Sequence, residues 1–237
     1  MTRNETVRSP WSIGRESVKA NAVPMVVLWF LAGTTVLAYY FVPGTAAAFE
    51  PLKRWQIESG WIAAFLNRAF FCGILPGVFL VTVKSIRPRR LCLTVFVYSL
   101  WGGMWGILCD VFFTLQTAWF GAGTGFVTLL AKTFVDQFVW TVFICLVPSA
   151  AFFFWAARDF SFVRTRREWP ERFLRGVCLP MLLANWCVWF PVEFCVYAFP
   201  LPLQIQIVGF ASAFWMLVAL QAGARSATKA YPQADRG

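Results

Sequence analysis

Residues 182–199 read Leu182-Leu183-Ala184-Asn185-Trp186-Cys187-Val188-Trp189-Phe190-Pro191-Val192-Glu193-Phe194-Cys195-Val196-Tyr197-Ala198-Phe199. The stretch is apolar and long enough to cross a hydrocarbon core about 30 Å thick. It nevertheless keeps an amide, a proline and a carboxylate. A charge at the bilayer centre costs about 2.5–3.5 kcal/mol on insertion scales, so such residues face a bundle interior or water. A helix that retains Asn185, Pro191 and Glu193 therefore implies neighbouring helices that receive them.

The rest of the chain has the same character. Of its 237 residues, 59% are hydrophobic and only 14% are charged. Soluble domains carry nearly twice that share of charge, so this is a membrane composition. The net charge of +10 sits mostly between apolar runs. That distribution is a topology signal and does not outline a nucleic-acid patch. There is no histidine, which removes His-dependent triads, zincin chemistry and His ligation of haem. The cysteines at 72, 92, 109, 145, 178, 187 and 195 all fall in apolar runs without a Cys-x-x-Cys pair. They read as small buried hydrophobes rather than disulfides or metal ligands.

Six stretches are long and apolar enough to span: Met25–Val42, Trp61–Val83, Leu91–Gln116, Phe126–Trp155, Val177–Phe199 and Leu203–Gly223. The predicted fold is an all-α polytopic bundle over residues 25–223. Polar tails at 1–24 and 224–237 flank it. The fourth stretch is over-long and must tilt or emerge into the interface. Pro200-Leu201-Pro202 is a short enough turn to make the fifth and sixth an antiparallel hairpin. Lys and Arg on alternate connections number 17 against two (Lys53 and Arg54), while Arg68 and Lys132 lie within spans. The positive-inside rule then places both termini in the cytoplasm, as an even number of spans also requires. Ala46-Ala47-Ala48 resembles a signal-peptidase site, but a polar region of about 24 residues ahead of the first apolar run argues against cleavage.

Gly73-x-x-x-Gly77 and Gly102-x-x-x-Gly106 place small residues one turn apart, the pattern that lets helices approach closely in lipid. Gly121-Ala122-Gly123-Thr124-Gly125 lacks the strand, spacing and lysine of a nucleotide loop and reads as a connection. The segment from Arg158 to Arg175 carries six arginines and Trp169. Besides lipid contact along the spans, it predicts weak attraction to anionic lipid, seen as stronger liposome binding when such lipid is present.

Three carboxylates lie inside spans: Asp110, Asp136 and Glu193. Counted from the nearer, outer span end at 1.5 Å per residue, they sit roughly 10, 15 and 9 Å deep, in one layer. A shared polar pocket in the outer half of the bilayer explains that coincidence. Lys132 lies one helical turn from Asp136 and is placed to neutralise it. Gln137 and Asn185 add neutral polar groups. The inner half is nearly bare of polar residues, which favours a gated or occluded pocket over an open channel. No nucleophile–base pair, metal set or cofactor motif accompanies the carboxylates, so neither an enzyme nor a cofactor is expected.

The same residues carry a resemblance. Asn185, Trp186, Trp189, Phe194 and Trp215 fit the final signature of the Mpv-seventeen/PMP-twenty-two family of small integral membrane proteins. Pro191 is displaced from the family's proline, Glu193 stands where the family has Gln, and Tyr197 replaces a Phe. Lys132, Asp136 and Gln137 match a second signature, and residues 106–113 meet a third loosely, with Asp110 in place of its His. The chain resembles a divergent, bacterial-type member over about residues 60–223. The resemblance implies a membrane channel or permease for small solutes. It would sit in the bacterial inner membrane, or in a mitochondrial inner or peroxisomal membrane if the chain is eukaryotic. The alternative is a non-conducting scaffold whose carboxylates only hold helices together. In either reading Pro191 is expected to kink the fifth span, and self-association into a homo-oligomer stays open.

Overall fold

The computed structural model describes residues 15, 16, 19, 22–82 and 90–230, with the side chains of 24, 82 and 217–230 left aside. Most of the 1–24 tail, the basic stretch 83–89 and residues 231–237, on which the charge asymmetry partly rests, lie outside the described residues. Among the described residues there is no strand. In lipid each backbone polar group must be satisfied within its own segment, and the helix is the form that does so in a single chain segment.

The helices run in chain order as α1 (Ala22–Phe41), α2 (Thr45–Ser59), α3 (Trp61–Val81) and α4 (Leu91–Phe120). They continue as α5 (Phe126–Ala156), a short α6 (Phe162–Arg167), α7 (Leu174–Tyr197) and α8 (Leu201–Ala230). Four of these, α3, α4, α5 and α7, are long and apolar enough to cross a membrane. A fifth is reached if α1 and α2 count as one broken span, though Met25–Phe41 meets Thr45–Ser59 at 104°. The described apolar part of α8, Leu201–Met216, is shorter than a span.

α2 occupies what reads in the sequence as a plain connection. Gly44 makes the corner, with a φ of +86° that L residues avoid. The helix it opens is far less apolar than its neighbours and carries Glu50, Lys53 and Arg54, with Lys53 and Arg54 both paired to Glu50. At the other end of the bundle, Ser161 caps α6 by accepting from the Arg164 amide. Arg158 and Arg164 pair with Glu168 and Asp159 there.

Only 22–44% of the residues in an apolar 18-residue window of each of the four spans are buried. Many of their large apolar side chains, among them Phe96, Val111, Phe134 and Phe143, are exposed, so burial from water cannot be what holds one span to the next. Close backbone packing and interhelical hydrogen bonds take that role in lipid. Both occur where α3 crosses α4. A Cβ added to Gly102 would lie 2.5 Å from the Cys72 Cβ and 2.7 Å from the Arg68 carbonyl oxygen. Gly106 abuts the Ala64 carbonyl, Gly73 abuts Ser99, and Gly77 abuts Val95. The hairpin of α7 and α8 forms the centre, where Val192, Val196, Leu203 and Ile205 are wholly inaccessible.

Three spans contain π-helical stretches: Phe70–Ile74 in α3, Asp136–Cys145 in α5 and Leu174–Cys178 in α7. π segments are rare, and they mark functional sites more often than chance. Pro191, where a kink is expected, sits inside α7 and does not interrupt it. The α-helix runs unbroken from Leu179 to Tyr197, and the Trp29 indole of α1 donates to the Val188 carbonyl at 3.2 Å. A neighbouring helix thus offers a partner to a carbonyl in the turn that the proline disturbs.

All seven cysteines are free. Cys72 and Cys178 are buried, but Cys92 and Cys187 are exposed on the outer faces of their helices. The expectation of uniform burial is therefore corrected, because a thiol is apolar enough to face lipid.

Candidate functional site

A cavity of about 140 Å³ lies inside the bundle, between α3, α4, α5, α7 and α8. On α5 its wall runs from Asp136 to Phe153, which is about 25 Å at 1.5 Å per residue. One end is the carboxylate layer near Phe113 and Glu193. The other, at Trp101, Ser149 and Met181, reaches toward the end of the bundle that carries α6.

Three formally charged side chains stand on that wall: Arg68 of α3, Asp136 of α5 and Glu193 of α7. Asp136 begins the π segment of α5, and i→i+5 spacing there brings Thr141 alongside it. Its Oδ1 accepts from the Gln137 amide at 3.0 Å and from the Thr141 hydroxyl at 3.5 Å. Its Oδ2 accepts from the Tyr197 hydroxyl at 2.6 Å. Gln137 also accepts from Asn185 through its side chain, and from the Trp186 indole through its backbone carbonyl at 2.8 Å. Trp186 thereby serves a carbonyl of the π segment. Trp189, by contrast, lines the cavity.

Glu193 is only 6% exposed, and its Oε2 has no hydrogen-bond partner. Arg68 donates through Nη1 to the Ser212 hydroxyl and to the Val208 carbonyl, which ties α3 to α8, while its Nε is unpartnered. No ion pair joins Arg68 to either carboxylate. The layer thus holds two orphaned polar atoms of opposite sign, both on one cavity wall.

Two expected members of the layer lie elsewhere. Asp110 is absent from the cavity wall. It accepts from Gln56 of α2 at 3.0 Å, at the end of a chain of amides in which Asn67 donates to Gln206 at 2.6 Å and Gln206 to Gln56 at 2.9 Å. That chain straps α2 onto α3, α4 and α8. Asp110 shares a depth with the other carboxylates but points to a different side of its helix.

Lys132 likewise stays off the wall and forms no ion pair with Asp136, although the Asp136 amide bonds to the Lys132 carbonyl. Its ammonium lies 5.9 Å from the centroid of the Tyr197 ring. The physical reason is occupancy. The oxygens of Asp136 are taken by Tyr197, Gln137 and Thr141, and Tyr197 stands between the two charges. Gln116 completes this hub, donating to the Tyr197 hydroxyl and to the Lys132 carbonyl, each at 3.0 Å.

The cavity cation is Arg68, a charge within a span. The intramembrane-charge rule that singled out the carboxylates applies to it equally. Tyr197 is the other residue missed, since a tyrosine in an apolar run carries no such flag. Among the described residues no group of His, Cys, Asp and Glu could hold a metal ion. No family model, no curated protein and no solved structure matches the chain. Function is therefore to be read from the site itself.

Proposed function

We propose that the chain is a membrane channel or permease for small polar solutes, a divergent relative of the Mpv-seventeen/PMP-twenty-two family, with six spans and both ends in the cytoplasm. One observation carries the reading. A cavity inside an otherwise apolar bundle gathers Arg68, Asp136 and Glu193 onto one wall and leaves Glu193 and Arg68 with unused polar atoms. Buried polar atoms of charged groups are costly when they lack partners, and retaining them is hard to reconcile with packing alone. The membrane setting is supported by the apolar helices, and the six-span count by the six apolar stretches of the sequence.

Purified protein in liposomes should release trapped small polar solutes faster than protein-free liposomes do. Release no faster than the protein-free rate, for neutral, cationic and anionic solutes alike, would overturn the permease reading. A scaffold would then remain, for which the amide chain from Asn67 to Asp110 is the supporting observation. The topology makes its own prediction. A reporter after Gly237 and one inserted near Ala122 should lie on opposite faces of the membrane, and finding both on one face defeats the six-span arrangement.

A further inference from the structure

Five of the thirteen tryptophans of the chain line the cavity: Trp101, Trp105, Trp140, Trp189 and Trp215. They come in pairs. Trp105 and Trp140 meet at 6.5 Å and 89°, and Trp189 and Trp215 at 6.5 Å and 64°. Neighbours hold two of the rings in place, since Trp140 stacks on Phe112 and Trp101 on Phe152, each at 4.2 Å. Rigid indole faces attract a cation within about 6 Å of the ring, most strongly when the cation has shed its water.

The charges on the wall point the same way. Arg68 against Asp136 and Glu193 leaves a formal excess of one negative charge. The Asp136 oxygens are already engaged by three donors, whereas Glu193 Oε2, buried at 6% exposure, has none. Beside Glu193 the unmet demand is thus for a positive charge, while Arg68 Nε, its guanidinium already held by Ser212 and Val208, asks for a neutral acceptor. At about 30 Å³ per water in the liquid, a volume of about 140 Å³ holds on the order of five waters, and a cavity of about 150 Å³ takes up a molecule the size of benzene, so the solute has about six or seven heavy atoms.

Resting on the proposal that the cavity admits a solute, we propose that this solute is a small organic ammonium ion. Its charge lies beside Glu193 and its alkyl groups lie against the indole faces. An anion would add to the negative excess. A sugar or polyol could stack on the indoles but would leave Glu193 uncompensated. A metal ion would need a set of three ligands that the described residues do not provide.

The test uses the full chain in lipid nanodiscs, with choline as probe against its neutral isostere, in which carbon replaces the quaternary nitrogen. Calorimetry or quenching of tryptophan fluorescence reports binding. Choline should bind at least about tenfold more tightly than the isostere, as a desolvated cation–π contact implies. Glu193→Gln should reduce choline affinity about tenfold. Asp110→Asn, outside the cavity, should leave it unchanged. Equal binding of choline and isostere, no binding of choline, or an unaltered affinity in Glu193→Gln would each overturn the inference. If Glu193→Gln fails to fold, the contrast between probes in the unmodified protein still decides. Binding is read without transport, so the two proposals fail separately. Choline bound without solute release overturns only the permease, and release without preference for the ammonium overturns only the ligand class.

Discussion

Gly102→Leu is expected to destabilise the protein by about 3 kcal/mol, the upper range for overpacking a tight contact. The added side chain begins 2.5 Å from the Cys72 Cβ and 2.7 Å from the Arg68 carbonyl oxygen. The second of these is backbone and cannot rotate away, so α3 and α4 must separate. Little compensates the separation in lipid, because a leucine gains nothing by exchanging one apolar surround for another. Arg68 moves with α3, so the cavity should lose its cation along with the packing. Gly33→Leu is the control. A Cβ there meets nothing within 4 Å, and its cost should stay below about 0.5 kcal/mol. Thermal unfolding in detergent should show a midpoint lowered by roughly 6–12 °C for Gly102→Leu. Equal midpoints for the two variants would mean that the crossing is looser than the structure has it.

Tyr197→Phe is expected to cost about 1.5–3 kcal/mol, the range for losing a hydrogen bond to a charged group. The ring keeps its edge-to-face contact with Phe113 at 5.4 Å, so packing is nearly conserved and the hydroxyl is the variable. Its removal takes a 2.6 Å bond from Asp136 and an acceptor from Gln116. A double-mutant cycle with Asp136→Asn isolates the charge. Against the neutral amide the same Tyr197→Phe change should cost only about 1 kcal/mol. Additive costs would show that the phenol and the carboxylate act independently, and the hub would then be no hub. Glu193→Gln should by contrast be tolerated in stability, since it removes an unpaired charge and keeps the side-chain shape.

Much of this is legible in the sequence, and the misplaced side chains have a common cause. Length and apolarity located the helices because a bilayer imposes one thickness on every span. Depth along the axis can be counted residue by residue, and Asp136 and Glu193 line one cavity. Direction around the axis cannot be counted. In a soluble helix the apolar stripe reveals it, but here both the lipid face and the core face are apolar. Asp110 therefore shared a depth with the cavity while pointing at Gln56. Lys132 and Asp136 were paired by spacing alone, and spacing does not show that a tyrosine from another helix has already claimed the carboxylate. α2 was invisible for a simpler reason. Its sequence is too polar for a span, and nothing local distinguishes a helix docked by one buried glutamine from a loop.

The π segment at Asp136–Cys145 turns residue count itself into a determinant of the cavity. An i→i+5 stretch accommodates an additional residue without lengthening the span, the trace that a single-codon insertion would leave in an α-helix. Deleting one residue of the segment after Thr141 would restore the ordinary period, in which residues five apart stand about 140° apart around the axis. Asp136 and Thr141 would part, although every side chain of the layer would still be encoded. An alignment that scored only identities would see nothing missing, and one that scored gaps would find the site.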